Sequence, residues 1–379
     1  MSRWGLLADV HCENFRVLGG PVTAGVNLRC RLVGDAFARG LHLAGKVGCD
    51  RVAVLGDLFN IGKPSPEVIG VAADAIASSP VPVYVIPGNH DRSSDEPGNN
   101  ALAALREVKN CIVVDEPTYL EDGVILAPFS PRPPMEYFTD VLKLATPGPK
   151  FLLGHCGIVG DSTAHFLLES RNAISLAQIG DLSVLAGIQL GVDLRCFASG
   201  DWHQHVVHEG LNGISVVQVG ALCQANFGDP LEVGKLCVLD TEKGSITEFH
   251  DVPGPRFITV DRMDFEDRPG RFGRVWESLE QPALKNCDLF VSIKCLDGED
   301  QQRATALMNG HTDWGVEHLK IAGWKTELVS TVKQQTEVVE AVQGAVQVED
   351  ALQEWAAAQP GVSQPVKDRA VQIALECLR

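Results

Sequence analysis

The sequence predicts an α/β fold: two packed sheets forming a β-sandwich flanked by helices, followed by a small α/β capping domain and C-terminal helices. Three observations lead there. Short apolar runs at residues 4–9, 51–55 and 81–86 each end in a motif containing Asp, Gly or Asn. Helical patterns separate those runs. From about residue 206 helices thin out and Gly-punctuated strands dominate, as in hairpins that complete a second sheet.

In the first helix Leu32, Val33, Ala36, Phe37, Gly40, Leu43, Ala44 and Val47 fall on one face, with Asn27 as its N-cap. A second helix covers Glu67 to Ser78, opened by Pro64-Ser65-Pro66. Strand, loop, helix, strand is the order of a sheet covered by helices, and its ligands collect at the carboxyl ends of the strands. Further strands are expected at 111–114, 124–127, 151–153, 196–198, 214–219, 236–239 and 246–249. Pro253-Gly254-Pro255 marks the clearest boundary. Residues 1–255 therefore form the main domain. Residues 256–345 form the capping unit, with strands at 257–260 and 289–293 and a helical stretch at 274–279. Residues 346–379 form two amphipathic helices split by Gln359-Pro360-Gly361.

Composition narrows the function classes. The chain has 379 residues, more than one core usually holds, which favours a large domain with smaller attachments. No run of about 18 apolar residues occurs, so no membrane span is expected. The first residues pass straight into a strand-like segment, leaving no room for a cleavable signal peptide. A cytoplasmic location is expected, or the host cytoplasm for a phage-encoded protein. The eleven cysteines include no Cys-x-x-Cys pair, which argues against a disulfide framework and a structural zinc site. The net charge of −17 argues against strong nucleic-acid binding by this chain alone. Were DNA the substrate, a partner would supply much of the positive surface.

The chemistry lies in five motifs that run in order: Asp9-Val10-His11, Gly56-Asp57-Leu58-Phe59-Asn60, Gly88-Asn89-His90-Asp91, Gly154-His155 and His203-Gln204-His205. They supply carboxylate, imidazole and amide oxygen, enough for two divalent cations about 3.5–4 Å apart, the clamp used for in-line displacement at phosphorus. Asp9, His11, Asp57, Asn89, His155, His203 and His205 are the candidate ligands, with Asp57 the natural bridge. His203 and His205 are expected on one extended segment that points both the same way. His90 follows a ligand without being needed as one. It is placed to contact the phosphate or to protonate the leaving oxygen. Asp91 is expected to orient its neighbours.

This motif set resembles the calcineurin-like metallophosphoesterases and, within them, the SbcD-type nuclease subunits of bacterial and phage recombination complexes. The closer likeness is carried by Gly56-Asp57-Leu58-Phe59 with Lys63-Pro64-Ser65-Pro66, by Gly25-Val26-Asn27-Leu28-Arg29, and by the stretch from Gly220-Ala221-Leu222 to Asn226-Phe227-Gly228-Asp229. The small domain and terminal helical pair follow the same layout. The resemblance implies the calcineurin-like phosphoesterase fold, with Asp9, His11, Asp57 and His205 on one metal. Asp57, Asn89, His155 and His203 would hold the other, and His90 would be catalytic. It further implies manganese, with magnesium the other candidate, a DNA substrate, a homodimer, and a coiled-coil ATPase of SbcC type docked through the C-terminal helices. Two positions depart from the pattern. Asn60 stands where some members carry a histidine that orients the catalytic one. The last motif reads Gly200-Asp201-Trp202-His203-Gln204-His205 in place of Gly-His-x-His; both histidines remain, and Asp201 is expected among the groups that surround the ligands without binding metal.

The expected function is a two-metal DNA nuclease subunit that works through metal-activated hydroxide. The alternative is a stand-alone phosphodiesterase or phosphatase acting on nucleotides or phosphoproteins. The complete ligand set argues against a non-catalytic scaffold.

Overall fold

The computed structural model describes residues 2–328 apart from positions 95, 97, 161–171, 209–210, 212, 232, 261–283, 285–286, 296 and 311–319. The helices expected at 274–279 and within 346–379 lie outside the described residues. In chain order the first elements are β1 (Arg3–Leu7), β2 (Val22–Thr23), β3 (Val26–Asn27), α1 (Leu28–Lys46), β4 (Arg51–Leu55), α2 (Pro66–Ala77), β5 (Val83–Ile86), β6 (Cys111–Val113), β7 (Thr118–Tyr119) and β8 (Val124–Ala127). Next come α3 (Pro134–Leu142), β9 (Gly148–His155), β10 (Gly157–Val159), β11 (Ala173–Ser175), α4 (Leu176–Leu190), β12 (Val192–Gly200), β13 (Val206–His208) and β14 (Ser215–Gln218). The last are β15 (Lys235–Asp240), β16 (Ser245–Asp251), β17 (Arg256–Val260), β18 (Asp288–Cys295), α5 (Gly298–Asn309) and β19 (Lys320–Leu328).

Two six-stranded sheets form the sandwich, in the orders β16-β15-β1-β4-β5-β6 and β13-β14-β12-β9-β8-β7. The pairs β1·β4, β4·β5 and β5·β6 are parallel in the first sheet, as are β8·β9, β9·β12 and β12·β14 in the second. Strand alternation builds three apolar layers. Trp4, Leu6, Ala53, Leu55, Phe151, Leu153, Cys196 and Ala198 fill the space between the sheets. Their neighbours Leu7, Val52 and Val54 turn outward under α1 and α2, while Leu152, Leu194 and Phe197 turn outward under α3 and α4. Strands buried on both faces read as continuous apolar runs, which is why they stood out in the sequence.

The helix starts follow from capping chemistry. Asn27 accepts from the Cys30 backbone N–H at 2.8 Å, as the sequence predicts, and Ser65 caps α2 with Pro66 in its first turn. Helices α3 and α4 were not anticipated. Helix α4 has a full capping box, Ser175 with Gln178, and ends at Gly191 with φ 65°.

The chain forms two compact units. The first comprises Met1–Ile293 and Met308–Lys325, the second Lys294–Leu307 and Thr326–Arg379. Strand β17, just past the proline pair, belongs to the first unit. The Phe257 N–H donates to Gln224 Oε1 at 2.7 Å and the Arg256 guanidinium to the Val233 carbonyl at 2.9 Å. In the second unit the Gln301 amide donates to Thr326 Oγ1 at 2.9 Å. No helix of the described residues is long and apolar enough to cross a membrane.

Candidate metal centre

The motifs meet where five parallel strands end. Asp9 and His11 follow β1, Asp57 follows β4, Asn89 and His90 follow β5, His155 closes β9, and Asp201 follows β12. Backbone bonds tie these ends together: Asp9 N–H to the Gly56 carbonyl at 3.1 Å and His11 N–H to the Asp57 carbonyl at 2.9 Å. Asp9, His11, Asp57 and Asp201 all sit on left-handed backbone, with φ of 50°, 53°, 51° and 89°. Each such residue costs about 1–3 kcal/mol, tolerated only where the surroundings over-determine it. Two glycines make room for this crowding. A Cβ at Gly56, itself at φ 86°, would meet His155 Nδ1 at 2.1 Å, and one at Gly88 would meet Asp57 Oδ1 at 2.1 Å.

Hydrogen bonds set the imidazoles. His155 is fully buried, and its Nδ1 donates to the Leu55 carbonyl at 2.8 Å, so Nε2 presents its lone pair. That lone pair faces three oxygens: Asn89 Oδ1 at 2.9 Å, Asp57 Oδ2 at 3.5 Å and Asp201 Oδ1 at 3.6 Å. On the other flank His203 Nδ1 donates to the Asp229 carboxylate at 3.0 Å, which directs its Nε2 toward His11 Nε2, 3.1 Å away. His11 Nε2 also lies 3.9 Å from Asp57 Oδ2. Ligand atoms of Asp9, His11 and His203 form one tight group, and those of Asp9, Asp57 and His155 a second.

Lone pairs aimed at oxygens repel unless a cation or a proton lies between them, and the titration behaviour reflects this. Burial raises the Asp9 pKa far above the usual carboxylate range, only partly offset by His155. Burial would also raise Asp57, yet the charge and hydrogen bond of His155 outweigh it and hold that carboxyl low. For His155 burial opposes the proton, and Asp57, Asp9 and Asp201 overcome it, so its pKa is raised. Burial pushes His11 down to about 4. A cluster that keeps protons in its metal-free state is one that a divalent cation can discharge.

The surrounding groups fix these positions. The buried Asp91 carboxylate accepts from the backbone N–H groups of Gly88 at 2.9 Å, Phe59 at 2.8 Å and Leu58 at 3.3 Å, stapling two motif loops together. His90 is exposed. Its backbone N–H donates to Asp57 Oδ1 at 2.9 Å, its Nδ1 to the Asn60 carbonyl at 2.9 Å, and its ring stands edge-on to His11 at 5.1 Å. The orienting contact to His90 is thus the Asn60 backbone, while the Asn60 amide turns to Glu13.

The final motif is arranged differently from the sequence expectation. Residues 201–204 bend, and only from Val206 is the chain extended as β13. His203 therefore enters the cluster and His205 does not. The His205 Nδ1 donates to the Val219 carbonyl at 3.0 Å and its ring packs on Phe249 at 5.2 Å, against β14 and β16. Asp201 occupies the place beside His155. Asp229, the partner of His203, was not anticipated in that role. It ends a stretch that carries the family likeness, but nothing in its spacing distinguishes it from an ordinary loop acid.

These donors fit a pair of divalent ions. Two atoms each roughly 2.1 Å from one ion lie about 3–4 Å apart, the range in which the separations above fall. Asp9, His11, Asp57 and His203 would hold one ion; Asp57, Asn89 and His155 would hold the other.

Comparison with known proteins agrees with this chemistry. Residues 5–216 match the calcineurin-like phosphoesterase family. Among solved structures, the chain is similar to the protein TT1561 of Thermus thermophilus, at 14% identity and TM-score 0.39, covering 66% of this chain and 99% of that one. It is similar also to a dimetal phosphatase from Danio rerio, at 13% identity and TM-score 0.38, covering 58% and 87%. The nuclease MPE of Pseudomonas putida matches at 25% identity and TM-score 0.23, covering 41% and 62%.

Proposed function

The chain belongs to the calcineurin-like phosphoesterase family, and from that premise we propose that it is a two-metal DNA nuclease, the nuclease subunit of an SbcC–SbcD-like recombination and repair complex. The observation that carries its hydrolytic part is the His155 lone pair facing three oxygens in a buried, acid-rich cluster. Paired divalent cations, manganese by preference, supply a bound water of lowered pKa and offset charge on the phosphoryl oxygens.

The chain's own groups do the positioning. With Nδ1 of His90 engaged by the Asn60 carbonyl, Nε2 is left to contact the phosphate or to deliver a proton to the leaving oxygen. Asp57 ties that histidine to the cluster by accepting from its backbone. A cavity of about 240 Å³ is lined by Arg92, Phe129, Arg132 and Tyr137 together with the acidic Glu96, Asp115 and Glu116. The Phe129 ring lies 6.3 Å from that of His155. The aromatic faces suit stacked bases, which favours the nuclease reading, while the three carboxylates and the Arg132–Asp140 pair leave the phosphate contacts to other surfaces.

The wider assignment follows the sequence likeness. Within residues 256–345 the capping role falls to the part that lies in the second unit, since β17 belongs to the first, and 346–379 dock a coiled-coil ATPase that contributes the positive surface this acidic chain lacks. The working form is a homodimer in the cytoplasm. The deciding experiment is digestion of end-labelled single- and double-stranded DNA by the purified protein with manganese. Cleavage dependent on the metal is the expected result. No cleavage, alone or with a cognate ATPase, together with brisk hydrolysis of small phosphodiesters, would replace this reading with a stand-alone phosphodiesterase or phosphatase. The charge of −17 leans that way.

A further inference from the structure

Asp201 has no role in the ligand sets above, yet its carboxylate lies against the second of them. We propose that Asp201 is a direct ligand of the ion held by His155, and that it turns this position into an oxygen-dominated site selective for hard divalent cations. The inference rests on the two-metal reading and adds to it the identity of a ligand and the class of ion.

Three observations place Asp201 there. First, its Oδ1 lies 3.6 Å from His155 Nε2, nearly the same as the 3.5 Å from Asp57 Oδ2 to that nitrogen. His155 is held by the Leu55 carbonyl and cannot turn away. Second, the Asp201 backbone is anchored to the cluster: its N–H donates to both oxygens of Asp9 at 3.1 Å. Third, the bend starting at Asp201 brings His203 to the opposite flank, so positions 201 and 203 address the two halves of the site, one each.

The chemical consequence concerns charge and hardness. The donors around His155 become two carboxylates, an amide oxygen and one imidazole. The donors around His11 remain two imidazoles and two carboxylates. Carboxylate and carbonyl oxygens suit manganese and magnesium, whereas imidazole suits zinc. Three carboxylates in the cluster also leave a pair of divalent ions with one net positive charge, where an imidazole at position 201 would leave two. The two positions are therefore unequal, and the one at His155 discriminates against zinc.

The test uses the full chain, stripped with a chelator and titrated with manganese or zinc. Bound metal is counted by elemental analysis and calorimetry, and paired manganese is detected by its spin-coupled resonance signal. The unaltered protein is expected to take up two manganese ions. Asp201→Ala should bind one, with affinity for the second reduced by at least about tenfold and the coupled signal lost. Asp201→His should keep two ions while shifting the preference at the second position toward zinc by about tenfold or more. Should the Ala variant fold poorly, Asp201→Asn decides by loss of the second ion, since an amide keeps the shape and the backbone anchor but not the charged ligand. Two manganese ions bound unchanged by Asp201→Ala, or an unshifted preference in Asp201→His, would overturn the proposal and leave the two-metal reading standing. Fewer than two ions on the unaltered protein would remove both.

Discussion

Around His11 and His203 the cluster is nitrogen-rich, and one of its two imidazoles comes from a bend tethered by a carboxylate of a distant loop. Around His155 it is oxygen-rich, and the imidazole is the last residue of a central strand pinned to a carbonyl of β4 in the other sheet. His203 is 24% exposed and relies on Asp229, whereas His155 is wholly buried and relies on the sheet itself. The contrast teaches that the two halves gain rigidity from different sources. One is held by packing that also holds the domain together, the other by a contact that can be removed without touching the core.

Experiments can break or sharpen that contrast. The largest effect is expected at the carboxylate both halves share. Asp57→Asn keeps a residue type tolerant of left-handed backbone but removes the charge. Turnover of a phosphodiester should fall by about 10³-fold or more, several kcal/mol of transition-state stabilisation. Near-normal turnover would show that neither half depends on the bridge. Next comes His90→Ala, expected to cost about 10²–10⁴-fold in turnover with metal stoichiometry unchanged. Loss of bound metal in that variant would make His90 a ligand and erase its separation from both halves.

A smaller effect should follow from Asp229→Ala, which cuts the tether of the exposed half. Affinity for the ion at His11 and His203 is expected to drop about 10–100-fold while the His155 side is spared. Equal loss at both positions, read by calorimetry, would mean the halves are mechanically one. His205→Ala should leave metal binding unchanged, since that ring packs on Phe249 outside the cluster. A lost ion there would restore the sequence expectation.

The subtlest measurement is stability against pH. In the metal-free protein the raised pKa of Asp9 means the folded state keeps a proton that the unfolded chain gives up above the ordinary carboxylate range. His155 and His203, both raised, do the same above the ordinary imidazole range. Stability from these groups is full at low pH and is lost as pH rises. The lowered Asp57 and His11 act oppositely, but the contribution of Asp57 is complete well below neutrality and that of His11 is gained mainly below the ordinary imidazole range. Metal-stripped protein should therefore melt at lower temperature at pH 8.5 than at pH 6.5, and added manganese should remove the difference. A flat profile without metal would refute the crowding described for both halves.

Much of the fold was legible because its strands are buried on both faces and end in polar motifs. Asp9, His11, Asp57, Asn89 and His155 were each readable from the strand that precedes them. The last motif was harder for a physical reason. Positions 201 and 203 share the spacing of 203 and 205, and two histidines look like a better pair than an aspartate and a histidine. What separates them is a bend that begins with φ 89° at Asp201, a conformation no local pattern announces. Asp229 was hidden because its partner lies 26 residues away. Helix α4 escaped because Val184, Leu185 and Ile188 are exposed, which blurs the apolar stripe that marks an amphipathic helix.

The place of β1 in its sheet bears on how the protein is made. That strand lies between β4 and β15, with Trp4 opposite both Arg51 and Leu239. On the ribosome, one edge of the first strand stays unpaired until residues near 240 have been synthesised. An open apolar edge of this kind is a template for wrong pairing. Asp9 and His11 leave that same strand, while His203 and Asp229 arrive late in the same span of chain. Translation thus completes the metal centre and closes the vulnerable edge together, and ions added before that moment would meet only part of their ligand set.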